Sequence, residues 1–175
     1  NCQTEEERIR TAELIRPILR GRDVKRYGYD WAGLWLINTH NGLKNKGIKP
    51  VDINDYPAIK EWLDNGGIAY SGKMYKGFSQ IEKRSDRGDT PYNLRNCAYM
   101  EDFSKPKIVW GEISDKSKFA FDFLGEYIPE ATSFYMKGEC IEYLLSALNS
   151  SVSEWLFSKV GTTTGVGTIK IGRAH

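Results

Sequence analysis

At 175 residues, the chain is long enough to bury one sizeable core, and we expect a single domain over residues 1–175. Apolar residues make up 40% of the chain and charged residues 27%, a composition that excludes an intrinsically disordered protein. The net charge is only +2. Overall charge therefore does not by itself indicate nucleic-acid binding, and that function depends on where the charges lie.

The cysteines, histidines and apolar runs narrow the class of protein further. The three cysteines lie far apart and form no Cys-x-x-Cys pair, so we expect reduced thiols in a cytoplasmic protein. With only two histidines, no structural zinc site is predicted. We find no signal peptide and no apolar run of membrane-spanning length, and we expect no membrane partner. The chain opens at Asn1 and stops at His175 without a natural boundary, so we expect it to be part of a longer polypeptide.

The first third of the chain is predicted to contain a helix, a basic turn and a short strand. Residues 5–19 have helical character that Pro17 limits, and residues 20–27 form a basic turn. The apolar run at residues 34–37 predicts a buried strand. Residues 41–51 have the Gly, Asn and Lys content of a surface loop.

A clearer helix follows. We predict that Asp55 caps it, that Gly66-Gly67 ends it, and that four side chains share its apolar face: Tyr56, Ile59, Trp62 and Leu63. The polar, Gly-rich and charged residues 68–91 give no firm assignment.

Strands are predicted from residue 92 onwards. Residues 107–110 are one, and Phe119, Phe121 and Phe123 alternate with other residues in the period-two pattern of a half-buried strand. The polar residues 114–117 predict a hairpin between these strands, and residues 132–136 predict a further strand.

Two helices are predicted near the end of the chain. The first has one apolar stripe made by Ile141, Leu144, Leu145 and Leu148. The second opens with a Ser151–Glu154 capping box, ends at Gly161, and carries an apolar face made by Val152, Trp155 and Leu156. The elements together predict an α+β fold with a β-rich middle flanked by helices.

The motifs of catalysis are missing. A base-flipping amino-methyltransferase needs a loop of the Asn/Asp-Pro-Pro-aromatic type, and the sequence has no Pro-Pro pair. The string at residues 161–167 resembles a phosphate-binding loop but lacks its Gly-Lys-Ser/Thr ending and follows a helix. Four residues offer the side-chain types of a nuclease centre, yet clusters of this sort are usually solvated turns: Glu112, Asp115, Lys116 and Lys118. We therefore predict no catalytic residue, cofactor site or metal site in this chain.

Positive charge is concentrated in two stretches. Residues 16–26 contain five Arg or Lys against Asp23 alone, a net charge of +4. Residues 73–95 contain six against three acidic residues, a net charge of +3, and tyrosines are interleaved with both stretches. Arg and Lys neutralise phosphates and Arg reads guanine edges, so these stretches are candidate DNA contacts, although most charge runs are simply solvated.

Several strings, in order along the chain, resemble the TaqI-like C-terminal specificity domain of adenine methyltransferases and fused restriction-methylation enzymes. The similar strings are Leu14-Ile-Arg-Pro-Ile-Leu-Arg-Gly-Arg-Asp-Val-Lys-Arg-Tyr27, Gly33-Leu-Trp-Leu-Ile37, Tyr56-Pro-Ala-Ile-Lys-Glu-Trp-Leu63, Tyr92-Asn-Leu-Arg95, Lys105-Pro-Lys-Ile108, Thr132-Ser-Phe134 and Leu144-Leu-Ser-Ala-Leu-Asn-Ser150. The resemblance covers residues 14–160. It departs from the family pattern after the Tyr56 helix, where only Ile81-Glu-Lys-Arg84 loosely matches the usual Leu-x-x-Arg, and after the last helix, where an Ile-Pro-x-Pro strand usually follows.

The resemblance implies an α+β target-recognition domain with a twisted, mainly antiparallel, half-barrel-like sheet flanked by helices. Its implied function is sequence-specific recognition of double-stranded DNA in a bacterial restriction-modification protein. An adenine methyltransferase domain of the same polypeptide would act at the recognised site with S-adenosylmethionine, and cleavage by the parent enzyme with magnesium is left open.

The charge pattern and the resemblance together give a set of predicted DNA contacts. The expected DNA face comprises Arg84, Arg87, Tyr92 and Arg95, and the expected phosphate contacts are Arg22, Lys105 and Lys107. The alternative is a protein-interaction or docking module that uses Trp155 and the Leu144/Leu148 stripe. A stand-alone nuclease or methylase is disfavoured because the required motifs are missing.

Overall fold

The computed structural model describes residues 2–66, 68–70, 73–75, 77–163 and 168–171. It combines helices with mostly antiparallel sheets and has two helices near the C-terminus, which confirms the predicted α+β class. The chain forms two compact units, Asn1–Ile15 with Leu36–Ala98 and Arg16–Trp35 with Tyr99–His175. That both units belong to one domain stays a prediction. Among the described residues, no helix has the length and apolar character needed to cross a membrane.

The first unit begins with helix α1, Glu5–Leu14. The Thr4 hydroxyl accepts the Glu7 N–H at 3.1 Å, and the acidic first turn complements the positive end of the helix dipole. The helix ends at Leu14, before Pro17 is reached, and the chain continues directly into strand β1, Ile15–Leu19. Pro17 lies in this strand. A proline lacks the N–H that a helix continuing through this position would need.

Helix α2 spans Pro57–Glu61 with Tyr56 as N-cap, and a π-helical turn, Trp62–Gly66, continues it, so the helical segment ends at Gly66 as predicted. The predicted cap was wrong, because Asp55 lies inside a preceding 3₁₀ turn, Ile53–Asp55, which Asp52 caps. The predicted face was wrong at Trp62, which is exposed. Four residues of the unit's core join Leu63: Leu14, Ile53, Ile59 and Ile81.

Three short elements occupy part of the stretch that the sequence left unassigned. Strands β5, Ile68–Tyr70, and β6, Lys73–Tyr75, pair antiparallel, and helix α3 spans Phe78–Ile81. The loop predicted at residues 41–51 contains only a 3₁₀ turn, Lys44–Lys46, closed by a bridge between Leu43 and Ile48.

The second unit contains most of the strands. In chain order they are β2 (Val24–Lys25), β3 (Gly28–Tyr29), β7 (Lys107–Gly111), β8 (Ile113–Ser114), β9 (Phe119–Asp122), β10 (Ile128–Pro129), β11 (Ser133–Met136), β12 (Thr162–Thr163) and β13 (Ile169–Lys170). The strand order is β11-β7-β9 in one sheet and β12-β13-β8 in another, and both are antiparallel. A third sheet has the order β10-β1-β4, where β4 is Trp35–Ile37 and β1 runs parallel to β10. The predicted burial of residues 34–37 was wrong, because Leu34 and Trp35 are exposed.

Strand β9 was predicted to be half-buried, and this was wrong. Phe119, Ala120 and Asp122 are all buried. The reason is that β7 and β9 are covered on both faces: Ala120 packs in one apolar cluster with Leu19, while Phe119 packs in another with Ile141. A strand covered on both sides loses the alternation between buried and exposed positions. The predicted hairpin between the two strands is confirmed by the antiparallel β7–β9 pairing.

The two C-terminal helices are α4, Ile141–Leu148, and α5, Ser151–Val160. In α4, Ile141, Leu145 and Leu148 contact the core as predicted, whereas Leu144 is partly exposed. The capping residue of α5 is Ser150 rather than Ser151, because the Ser150 hydroxyl accepts the Ser153 N–H. The apolar face of α5 made by Val152, Trp155 and Leu156 is exposed, and Phe157 packs against the core.

Candidate nucleic-acid interface

The basic turn at residues 20–27 is shaped by its acidic residue. The Arg20 guanidinium donates two hydrogen bonds to the buried Asp23 carboxylate, at 2.9 and 2.7 Å, and they hold the pKa of Asp23 below its usual range. Gly21 lies so close to β7 that a Cβ would stand 2.7 Å from the Gly111 Cα, which excludes a larger residue. Arg20, Gly21 and Asp23 therefore build the turn, and Arg22 between them is exposed to solvent.

A hairpin-like loop in the first unit carries the second group of cations. Residues 82–96, the arginine loop, follow helix α3. Arg87 bridges to Leu94, the Gly88 N–H donates to the Asn93 carbonyl at 2.9 Å, and the Arg95 N–H donates to the Asp86 carbonyl at 3.2 Å. Arg87 and Arg95 thus lie on the two antiparallel arms of one loop.

Two buried asparagines hold the arginine loop in place. The Asn41 amide donates to Asp89 at 3.0 Å and to Asn96 at 2.7 Å, and its carbonyl accepts the Asp89 N–H at 2.9 Å. The Asn93 amide donates to the Val51 carbonyl at 2.9 Å. A Cβ on Gly88 would lie 2.5 Å from the Asn41 side chain, so the loop packs tightly against residue 41. Hydrogen bonds from buried asparagines therefore fix the loop, in addition to the packing of Tyr92 against the core of the first unit.

The predicted DNA-face residues in this loop differ in their accessibility. Arg87 is exposed and donates to the Glu82 carbonyl at 2.9 Å, and Arg95 is exposed as well. Arg84 is largely buried and its Nε donates to Asp86 at 3.2 Å. Two exposed arginines of the predicted face are therefore brought together, and the third is engaged within the loop.

Tyr92 belongs to the packing of the first unit. Its hydroxyl donates to Asp64 at 2.7 Å, its ring lies 5.5 Å from the Phe78 ring, and the Lys60 ammonium lies 5.5 Å from its centroid. Burial, helped by the Asp64 carboxylate, raises the pKa of Tyr92. These contacts give Tyr92 a structural explanation that the sequence did not anticipate.

Lys105 and Lys107, two residues apart, have different environments. Lys105 is exposed and forms an ion pair with Asp102 at 2.9 Å. Lys107 is fully buried: its ammonium pairs with the Asp122 carboxylate directly across the β7–β9 ladder and donates to the Phe103 carbonyl at 2.8 Å. Burial lowers the pKa of Lys107, and Asp122 opposes that effect. The predicted phosphate contact at Lys107 was wrong, because a phosphate has no access to this ammonium.

Asn149 is a structural residue that sequence reasoning missed. Its side chain is completely buried, accepts the Phe119 N–H at 3.1 Å and donates to the Phe119 carbonyl at 2.8 Å. It thereby supplies β9 with the two backbone hydrogen bonds that a neighbouring strand would otherwise make. The Leu-Asn-Ser string at the end of α4 was the available indication of this role.

Three of the four charged residues between β7 and β9 form ion pairs with one another or with a later strand. Lys118 contacts Asp115 at 2.5 Å, and Lys170 contacts Glu112 at 2.9 Å. Across the described part of the chain, no group of His, Cys, Asp or Glu side chains is arranged to hold a metal ion. The string at residues 161–167 falls partly outside the described residues, since residues 164–167 are not among them.

Comparison with known proteins identifies the family. Comparison with curated protein sequences gives no match. The model of the TaqI-like C-terminal specificity domain matches residues 16–175, which make up most of the chain and include all but the first two residues of the strings that carried the resemblance. The chain therefore belongs to the TaqI-like C-terminal specificity domain family, and its role is DNA target recognition in a restriction-modification system.

Proposed function

We propose that this chain reads a specific sequence in double-stranded DNA and directs an adenine methyltransferase domain of the same polypeptide to it. The family match over residues 16–175 carries this proposal. In this division of work, the chain supplies binding and orientation on the duplex, while a separate domain holds S-adenosylmethionine and transfers the methyl group in the cytoplasm. An endonuclease domain using magnesium would act at or near the same site in a parent that also cleaves.

The exposed cations support a contact with the DNA backbone and bases. Arg87 and Arg95 stand on a loop that buried asparagines fix, so they need little reordering on binding. A guanidinium can donate two hydrogen bonds to the O6 and N7 atoms of guanine. We assign Arg87 and Arg95 to base reading and the exposed Arg22 and Lys105 to phosphates.

Three of the DNA contacts predicted from the sequence are left out of the proposed interface. Lys107 is fully buried, Tyr92 is engaged with Asp64, and Arg84 is paired with Asp86. All three are explained by contacts within their own unit, so they carry no part of the proposal.

Methylome sequencing of cells that express the parent polypeptide tests the proposal. We expect methylated adenines in one short motif, and a different motif when residues 14–160 are replaced by those of a related domain. Arg87→Ala or Arg95→Ala should relax the motif at one position, at a cost of about 1–3 kcal/mol per lost bidentate contact. Lys44→Ala, an exposed cation on a different loop, is the matched control and should leave the motif intact. A motif that survives the domain replacement would refute the proposal.

A second candidate function is protein docking, and one observation favours it. The outer faces of α4 and α5 expose large apolar side chains, with Tyr143 79% and Trp155 62% exposed. Exposed apolar patches of this kind often mark contacts with another protein or domain. If the methylated motif survives the replacement but Trp155→Ser abolishes methylation by the parent, docking becomes the better explanation of this chain.

A further inference from the structure

A tight hairpin in the second unit displays an aromatic ring between cations. Strands β2 and β3 pair through Val24 with Tyr29 and through Lys25 with Gly28, so Arg26 and Tyr27 form a two-residue turn. We call residues 24–29 the basic hairpin. The Tyr27 N–H donates to the Phe119 carbonyl at 2.9 Å, and the Arg26 guanidinium donates to the Asn149 carbonyl, so the hairpin is anchored to the sheet.

Tyr27 adopts a backbone conformation that is sterically unfavourable for a residue with a side chain. Its φ is +67°, in the left-handed region where a Cβ crowds the backbone and where turns favour glycine or asparagine. The chain places a glycine one position later, at Gly28, instead of at this position. The hydrogen bond from the Tyr27 N–H gives no reason for a tyrosine, since a glycine would donate it equally well.

Burial of the Tyr27 ring does not offset this backbone strain either. Tyr27 is 54% exposed, and within the described part of the chain its one ring or cation contact is the Arg26 guanidinium, 5.6 Å from the centroid of the Tyr27 ring. A strained residue whose side chain gains little from packing is a candidate for a contact with something outside the chain.

The neighbouring charges indicate the chemistry of that contact. Arg22 and Lys25 are both exposed, and Lys25 forms a 3.5 Å ion pair with the highly exposed Asp30, which a phosphate can displace. An accessible aromatic ring flanked by cations suits a nucleic acid, since a ring can contact a base and cations bind phosphates.

We propose that the basic hairpin is a second DNA-contacting element of this chain, in which the Tyr27 ring lies against a nucleobase and Arg22 and Lys25 neutralise neighbouring phosphates. The inference deepens the proposed DNA-recognition function and rests on it. It adds Tyr27 and Lys25 to the contacts predicted from the sequence, and it gives the strained turn a role.

The test measures binding and stability together on the full chain. The probe is a labelled pool of random-sequence duplexes at low salt, followed by fluorescence anisotropy, with thermal unfolding measured on the same samples. Tyr27→Gly should weaken binding about tenfold, because the contact between the ring and the base is lost. Its melting temperature should stay level or rise, because glycine accepts positive φ without strain. Tyr27→Phe keeps the ring and should retain wild-type affinity.

A matched control removes another exposed tyrosine. Tyr143→Ala, on the outer face of α4, should leave DNA affinity unchanged. Wild-type affinity in Tyr27→Gly would overturn the inference, as would an equal loss in Tyr27→Phe, which would move the contact from the ring to the hydroxyl. If the wild-type chain binds no duplex while remaining folded, the DNA-recognition function itself fails, an outcome separate from any difference between the variants.

Discussion

The buried Lys107–Asp122 pair shows how one charged residue can belong to the core. Asp122 also accepts the N–H groups of Glu126 and Tyr127, at 3.1 and 3.0 Å. The carboxylate therefore both pairs with the Lys107 ammonium and fixes the turn after β9. Removing one partner of such a pair leaves a buried charge uncompensated. Lys107→Met should therefore lower the free energy of unfolding by about 3–5 kcal/mol, measured by urea denaturation.

Lys105→Met is the natural comparison, because its ion pair with Asp102 is exposed and such pairs contribute little to stability. It should leave the urea midpoint almost unchanged. Adding Asp122→Asn to Lys107→Met should restore part of the lost stability, because it removes the uncompensated buried charge while the amide oxygen still accepts one of the two backbone N–H groups. If Lys107→Met unfolds at the wild-type midpoint, the pair does not stabilise the fold.

At the scale of single elements, the first turn of α5 has two candidate N-cap residues, Ser150 and Ser151. The sequence predicts Ser151 as the cap, whereas the structure places the Ser150 hydroxyl 3.2 Å from the Ser153 N–H. Replacing a serine N-cap by alanine costs about 1 kcal/mol. Ser150→Ala should lose that amount in chemical denaturation, and Ser151→Ala, inside the first turn, should lose clearly less. The reverse order would return the cap to Ser151.

The elements that could be predicted are those with a strong local pattern. Strand β7, strand β11 and helix α4 have apolar residues at the right spacing, and each was found within one or two residues of its predicted bounds. The alternation in β9 misled, because cover on both faces depends on segments distant in the chain. The arginine loop could not be predicted, since Asn41 and Asn93 fix it through contacts with residues more than 40 positions away.

The candidate site, like the fold, could be predicted only in part from the sequence. Exposure of Arg22, Arg87 and Arg95 follows from the general tendency of arginine to lie at the surface. The same tendency failed at Lys107, whose partner lies 15 residues away across a ladder and leaves no local pattern. The role proposed for Tyr27 depends on a backbone angle, which the sequence does not display.

At the scale of the whole molecule, a net charge of +2 hides an uneven distribution of charge. Exposed cations occur in both units, Arg87 and Arg95 in the first and Arg22 and Lys105 in the second. Each phosphate that a cation neutralises releases counterions, so the logarithm of the binding constant falls linearly with the logarithm of salt concentration. An apolar docking surface lacks this dependence.

DNA binding by the chain should therefore weaken steeply with salt, and single variants should change the slope in a graded way. Arg22→Ala and Lys105→Ala should each reduce the slope by about 0.9, the value for one phosphate contact on duplex DNA. Lys159→Ala, an exposed cation on α5 outside the proposed interface, should leave the slope unchanged. Fluorescence anisotropy at a series of salt concentrations measures all three. A wild-type affinity that is indifferent to salt would favour docking through the exposed faces of α4 and α5, because apolar contacts release no counterions.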